Sequence, residues 1–223
     1  MSASVIVSYD GTANDDDALS LGLMLSGGSA ALSLAYVRHS REYDPRREEI
    51  AQHDAERRLE QGALWLEDPG VARHVVTDPS TGSGLAKLAA AEGAALVVFG
   101  SDYRTPPGRV EPGSSAQQLL DGGSVAVAVA AAGLRTAGHG SIRTISVFPS
   151  GDDTAPQETA EALAKALGAS ISSGQDPAAD LVLVGSSASA TPGRVALTGA
   201  DRGKLDSARS SVLVLARETP IRF

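Results

Sequence analysis

An α/β fold is predicted by this 223-residue sequence: an open, parallel, five-stranded sheet with helices on both faces, followed by a shortened repeat of the same fold. Three observations carry the prediction. Short apolar runs alternate with longer segments whose apolar residues recur at helical spacing, and such alternation implies parallel strands joined by crossover helices. The short runs, among them "SVIVSYDG", "AALVVFG" and "SVAVAVAA", are apolar at nearly every core position, as strands covered on both faces must be. After a small polar stretch the pattern begins again in abbreviated form.

Taken in order, "SVIVSYDG" (4–11) reads as a buried first strand closed by an Asp-Gly turn. "NDDDALSLGLMLSGG" reads as a helix with Asn14 as its N-cap, three aspartates at its positive end and Gly27 as its stop. "AALSLAYVRH" is a second strand. From Arg46 to Leu66 the positions of Ala51, Ala55, Leu59, Ala63 and Leu66 form a helical stripe. "ARHVVTD" is a third strand, Ser83–Glu92 an Ala/Leu helix, and "AALVVFG" a fourth strand. A loop of glycines and prolines runs from Gly100 to Gly113, a short helix occupies the region 114–121, and "SVAVAVAA" is a fifth strand.

"GLRTAGHGS" (133–141) reads as a linker. The expected division is therefore a first domain at 1–132, a linker at 133–141, and a shortened second copy at 142–223. The copy is visible in paired phrases. "ADLVLVGSS" resembles "AALVVFGSD", and "PGRVALTGADRGKLDSARSSVLVLA" resembles "PGRVEPGSSAQQLLDGGSVAVAVA" with one residue inserted. It has no room for counterparts of the long helix and third strand of 46–77.

Composition narrows the function classes. The chain is 42% apolar but only 4% aromatic, so Ala, Val and Leu must build the core. A formal charge of −8, with the arginines of 46–58 interleaved among acids, argues against a nucleic-acid partner and for a solvated helix face. There is no cysteine, so disulfides and thiolate chemistry are excluded. No run is long and apolar enough to span a bilayer, and the N-terminus lacks the features of a signal peptide, so a cytoplasmic location is expected. Asp15, Asp16 and Asp17 are consecutive and cannot converge on one ion from a helix. No histidine pair has metal spacing, and no nucleophile elbow, triad order or P-loop is present.

The Gly100–Gly113 loop admits two readings. It is either a plain βα connection or a ligand cradle. In a parallel open sheet, ligands sit beyond the carboxyl ends of the strands, where glycine permits close approach and a helix start offers N–H groups to a phosphate. Asp10 ends the first strand on that same edge and can accept from a base amino group or a sugar hydroxyl. Tyr36 and Val37 end the second strand and can flank a base, and His39 lies nearby.

The loop resembles the signature of the universal stress proteins, Gly-x2-Gly-x9-Gly-Ser/Thr, with Gly100, position 103 and Gly113-Ser114 keeping the spacing. The element order of 1–132 and Asp10 at the end of strand one match that family too. The resemblance implies a site for an adenine nucleotide, ATP with Mg²⁺. Asp10 and Val37 would lie near adenine, Gly100 near the ribose, and Gly113, Ser114 and Ser115 around the phosphates. It departs at Tyr103, where the family has glycine, and at Ala116, where the family often has a hydroxyl. Tyr103 would either block the approach or stack on the ligand, and Arg104 and Arg109 would serve as phosphate partners or stay solvated.

In the second copy Ser150 aligns with Asp10, Ala188 with position 103, and Gly199-Ala200 with Gly113-Ser114. No nucleotide is expected there. The resemblance also implies self-association through the fifth strands, within the chain and in a homodimer. A regulatory, non-enzymatic stress-response role follows, with any hydrolysis slow because no general base faces the loop. The alternative is a nucleotide-free interaction module of the same fold.

Overall fold

The computed structural model describes residues 3–27, 30–137, 140–148 and 151–223. Its first half runs β1 (Ser4–Ser8), α1 (Ala13–Ser26), β2 (Ala31–Arg38), α2 (Pro45–Trp65), β3 (Ala72–Thr77), α3 (Thr81–Glu92), β4 (Leu96–Phe99), α4 (Ser114–Leu120) and β5 (Ala126–Val129). A 3-10 turn at Leu134–Ala137 leads to β6 (Thr144–Phe148), α5 (Ala155–Leu167), β7 (Ser170–Ile171), β8 (Leu181–Val184), α6 (Gly199–Ser207) and β9 (Ser211–Val214).

The strands form one nine-stranded sheet in the order β3-β2-β1-β4-β5-β9-β8-β6-β7. Every pairing is parallel except the central one, where Val127, Ala128 and Val129 oppose Val214, Leu213 and Val212 in antiparallel register. Outward from this seam the order is β5-β4-β1-β2 on one side and β9-β8-β6-β7 on the other, so β7 stands where β2 does. This two-residue strand is not legible in the sequence. Each fifth strand has a neighbour on both sides, so their mutual pairing is satisfied inside the chain and leaves no edge there for a second copy.

Strand side chains alternate between two apolar layers, as a pleated sheet requires. Val5, Val7, Leu96 and Val98 face α1 and α2, while Ile6, Val97 and Phe99 face α3 and α4. Both layers continue across the seam: Leu183 and Leu213 join the first with α5, and Val182, Val184, Val212 and Val214 join the second with α6.

Three local expectations change. Asn14 does not cap α1. Thr12 does, in a capping box where Asp15 Oδ2 accepts from Thr12 N (3.2 Å) and Thr12 Oγ1 (3.0 Å). Asn14 instead donates from Nδ2 to the Ser101 carbonyl at 2.9 Å, tying α1 to the exit of β4. The acidic helix start does more than balance a dipole, because Asp17 is fully buried and accepts from Gly133 N (2.8 Å), Arg135 N (2.7 Å) and Arg135 Nη1 (2.8 Å). The start of the 133–141 segment is therefore a docked turn. His139 and Ser150 lie outside the described residues, as do Gly28 and Ser29 of the small run after α1.

Candidate functional site

The chain leaves β1 for β2 on one side, and later enters β4 on the other. That switch opens a crevice at the carboxyl ends of β1 and β4. A cleft of about 380 Å³ occupies it, bordered by Asp10, Tyr36, Val37, Phe99 and Gly100 and by the turn Gly113–Ala116. Six residues expected from the sequence thus meet at one cleft: Asp10, Val37, Gly100, Gly113, Ser114 and Ser115.

Tyr103 does not join them. Its side chain is 72% exposed, and the Arg104 guanidinium lies 4.9 Å from its ring centroid. It neither blocks the cleft nor stacks within it. Arg104 and Arg109 do not line the cleft either. Arg109 Nη1 reaches the Asp206 carbonyl at 3.3 Å, and Arg194 Nη1 reaches Gly122 at 3.2 Å from the other side. The repeated "PGRV" thus places one arginine from each half across the seam.

Gly100 is required by the protein itself. A Cβ there would stand 2.2 Å from the Asn14 carbonyl oxygen and 2.7 Å from its carbon, so α1 can cross the end of β4 only over a glycine. The loop beyond is braced by Ser101. Its Oγ donates to Ala130 O (2.6 Å) and accepts from Glu111 N (3.2 Å), and Ser101 bridges Pro112. This bracing presents Gly113 as the N-cap of α4, and no side chain caps that helix. Its first amides and the hydroxyls of Ser114 and Ser115 are the donors that an anionic group would meet.

The second half repeats the brace and fills the turn. Ser186 Oγ donates to Leu215 O (2.6 Å) and accepts from Ala196 N (3.2 Å), which equates Ala196 with Glu111 and hence Thr198 with Gly113. The alignment of Gly199 with Gly113 is corrected accordingly, and so is the inserted residue, since the Ser101–Ala130 and Ser186–Leu215 bonds each span 29 residues and leave no insertion between turn and strand. Thr198 Oγ1 accepts from Asp201 N at 3.2 Å, and the buried Asp201 carboxylate accepts from Thr198 N at 3.0 Å. Lys204 Nζ completes the set at 2.9 Å from Asp201. The first turn of α6 is thus capped by the chain's own carboxylate, where that of α4 has no side-chain cap.

Among the cleft residues not singled out from the sequence as ligand-facing are Arg58, Thr81, Asp15 and Asp102. Arg58 looked like one charge on a mixed helix face. It stands three residues after buried Ala55 and four before buried Gly62, on the margin of the apolar stripe, which is the signal that was available. Its Nη1 donates to the Asp10 carbonyl at 2.7 Å, and its guanidinium lies 5.5 Å from the Tyr36 ring centroid. His39 Nε2 and Thr81 Oγ1 are 2.9 Å apart at the rim. Arg38 holds the Glu48 carboxyl down at about 2, chiefly by direct hydrogen bonding at 2.7 Å, and so fixes α2 to the end of β2.

Asp15 is pushed up to about 8, first by burial and then by its contact with Asp10, while Asp10 N donates to its Oδ2 at 2.8 Å. Tyr9 is raised to about 12 by burial and by Asp16, so its hydroxyl remains a donor. A folded chain that keeps a proton on Asp15 binds more protons than the unfolded chain between the ordinary carboxylate range and about pH 8. This group's contribution to stability is therefore greatest at low pH and is lost as pH rises toward 8. Asp15→Asn cannot ionise. Its stability relative to the parent should rise between pH 5 and about 8 by at most about 1.4 kcal/mol per pH unit and level off above that. Denaturant midpoints measured at pH 5, 7 and 9 check this, and parallel pH profiles for the two proteins would contradict it.

Residues 1–131 match the model of the universal stress protein family. Among solved structures, a universal stress protein from Archaeoglobus fulgidus DSM 4304 superposes with a TM-score of 0.67 at 16% identity, covering 96% of this chain and 98% of that one. A functionally unknown protein from Pseudomonas aeruginosa PAO1 superposes with a TM-score of 0.60 at 15% identity, covering 96% of this chain and 92% of that one. At such identities the likeness is one of fold. No curated protein sequence matches significantly. No helix among the described residues is long and apolar enough to cross a membrane.

Proposed function

The chain belongs to the universal stress protein family, and from that premise we propose that its first half binds an adenine nucleotide while its second half binds none. The observation that carries this reading is the convergence of Asp10, Val37, Gly100, Gly113, Ser114 and Ser115 on one cleft at the switch point. Val37 and Phe99 offer the base an apolar floor, Asp10 an acceptor, and the uncapped turn at Gly113 donors for phosphate. The Thr198–Asp201 capping box supports a closed second site.

The division into 1–132, 133–141 and 142–223 fits this arrangement, with the second half covering the β5 edge. The reading makes the protein a cytoplasmic regulatory binder active in stress responses. Mg²⁺ is expected to enter on the phosphates of the ligand, as it does where one or two carboxylates complete its shell.

Heating the purified protein and chromatographing the released small molecules tests the reading, together with calorimetric titration of adenine nucleotides with and without Mg²⁺. Tyr103→Gly is expected to bind as the parent does, within about twofold, because its exposed side chain does not line the cleft. No released nucleotide and no heat of binding would refute the proposal. A gain of affinity in Tyr103→Gly would show that the tyrosine closes the site, and would favour the nucleotide-free interaction module.

A further inference from the structure

Phosphate charge must be met by cations or free donors, and the cleft supplies these unevenly. Among its described lining residues there is no lysine, and Arg58 is the one arginine. Arg58 is committed to the base side, over the Tyr36 ring and against the Asp10 carbonyl. The phosphate side has an acid. Asp102 lines the cleft, and its N–H donates to the Glu111 carbonyl at 2.8 Å, which sets it beside the Pro112–Ser115 turn. Its Oδ1 is fixed by Arg104 N at 3.0 Å. Arg109, Arg194 and Arg202 are all drawn to the seam, where Arg202 Nη1 donates to Gln117 Oε1 at 2.8 Å. Ala116, buried at the turn, offers no hydroxyl.

The donors at Gly113–Ser115 therefore suit one anionic group, while a chain of phosphates would run past Asp102 with no cation among the described lining residues to neutralise it. Resting on the adenine-nucleotide reading above, we propose that the cleft takes an adenine nucleoside carrying at most one phosphate and discriminates against polyphosphates. Asp102 is the residue that sets this limit. It repels the second and third phosphates of a longer ligand and leaves a monophosphate on the Gly113–Ser115 donors.

Calorimetric titration with adenosine, AMP, and ATP with and without Mg²⁺, at pH 7 and fixed ionic strength, tests the proposal. Adenosine or AMP should bind at least ~10-fold more tightly than either form of ATP. Asp102→Asn retains the oxygen that accepts from Arg104 N, and should raise the ratio of ATP to adenosine affinity roughly 3- to 10-fold. ATP binding as tightly as AMP would overturn the inference and leave the adenine-nucleotide reading intact. An Asp102→Asn variant with an unchanged ratio of ATP to adenosine affinity would overturn the role of Asp102. Failure of all three compounds to bind would overturn both the inference and the reading beneath it.

Discussion

Gly100→Ala is expected to lower the melting temperature by roughly 4–8 °C and to weaken adenine-nucleotide binding by at least ~10-fold. The new Cβ would sit 2.2 Å from the Asn14 carbonyl oxygen, and that oxygen belongs to the first turn of α1. It cannot yield as a flexible side-chain end does. The turn is pinned by the Thr12–Asp15 box and by Asn14 Nδ2 on Ser101, while Ala18, Leu19 and Leu21 are buried just behind it. Moving α1 shifts Asp10 and Asp15 on one wall of the cleft and the Ser101 brace on the other. Binding therefore suffers together with stability. Gly203→Ala is the matched control, because its Cβ would meet nothing within 4 Å and it lies inside α6, where alanine is favoured by about 0.5–1 kcal/mol. Thermal melts and nucleotide titrations of both variants check the pair. A Gly100→Ala protein with parental melting and affinity would show that α1 can back away at no cost.

Asp17→Ala should be the most destabilising charge deletion in the chain, at about 3 kcal/mol. The carboxylate is fully buried and holds three donors at 2.7–2.8 Å, two of them backbone amides of the turn that leads from one half to the other. Removing it leaves the Gly133 and Arg135 amides without their acceptor, and the guanidinium, 31% exposed, without its partner. Because Arg135 can turn toward water, the cost should fall at the lower end of the range for broken buried pairs. The local consequence is a loosened turn, so tryptic cleavage after Arg135 should quicken at least ~10-fold. Asp17→Asn keeps one acceptor and should fall between. A melting temperature within about 1 °C of the parent, with unchanged proteolysis, would contradict this assignment.

Much of this architecture was legible in the sequence because its signals are local. Apolar runs gave the long strands, and Gly27 marked the stop of α1, where it adopts the left-handed conformation. The loop spacing and Asp10 brought six residues to one cleft. What escaped depends on partners distant in the chain. Asn14 looks like a cap until the Ser101 carbonyl comes within reach, and Asp17 looks like a dipole charge until residues 133–135 fold back on it. Thr198 could not be equated with Gly113 until the Ser101 and Ser186 braces were superposed. The two-residue β7 is too short for any periodicity, and the side of the loop that carries Tyr103 is fixed by three-dimensional geometry that spacing does not contain.

The central claim is that each chain holds one adenine-nucleotide site, and that it lies in the cleft of the first half. Calorimetric titration with AMP, comparing the parent with Ser114→Glu and Gly199→Glu, tests it most directly. Both substitutions place an acid in the first turn of a helix, where it is tolerated. Only the first puts a carboxylate into the cleft. The expected result is one AMP per chain, binding abolished in Ser114→Glu and retained in Gly199→Glu. Two AMP per chain, or parental binding in Ser114→Glu, would contradict it.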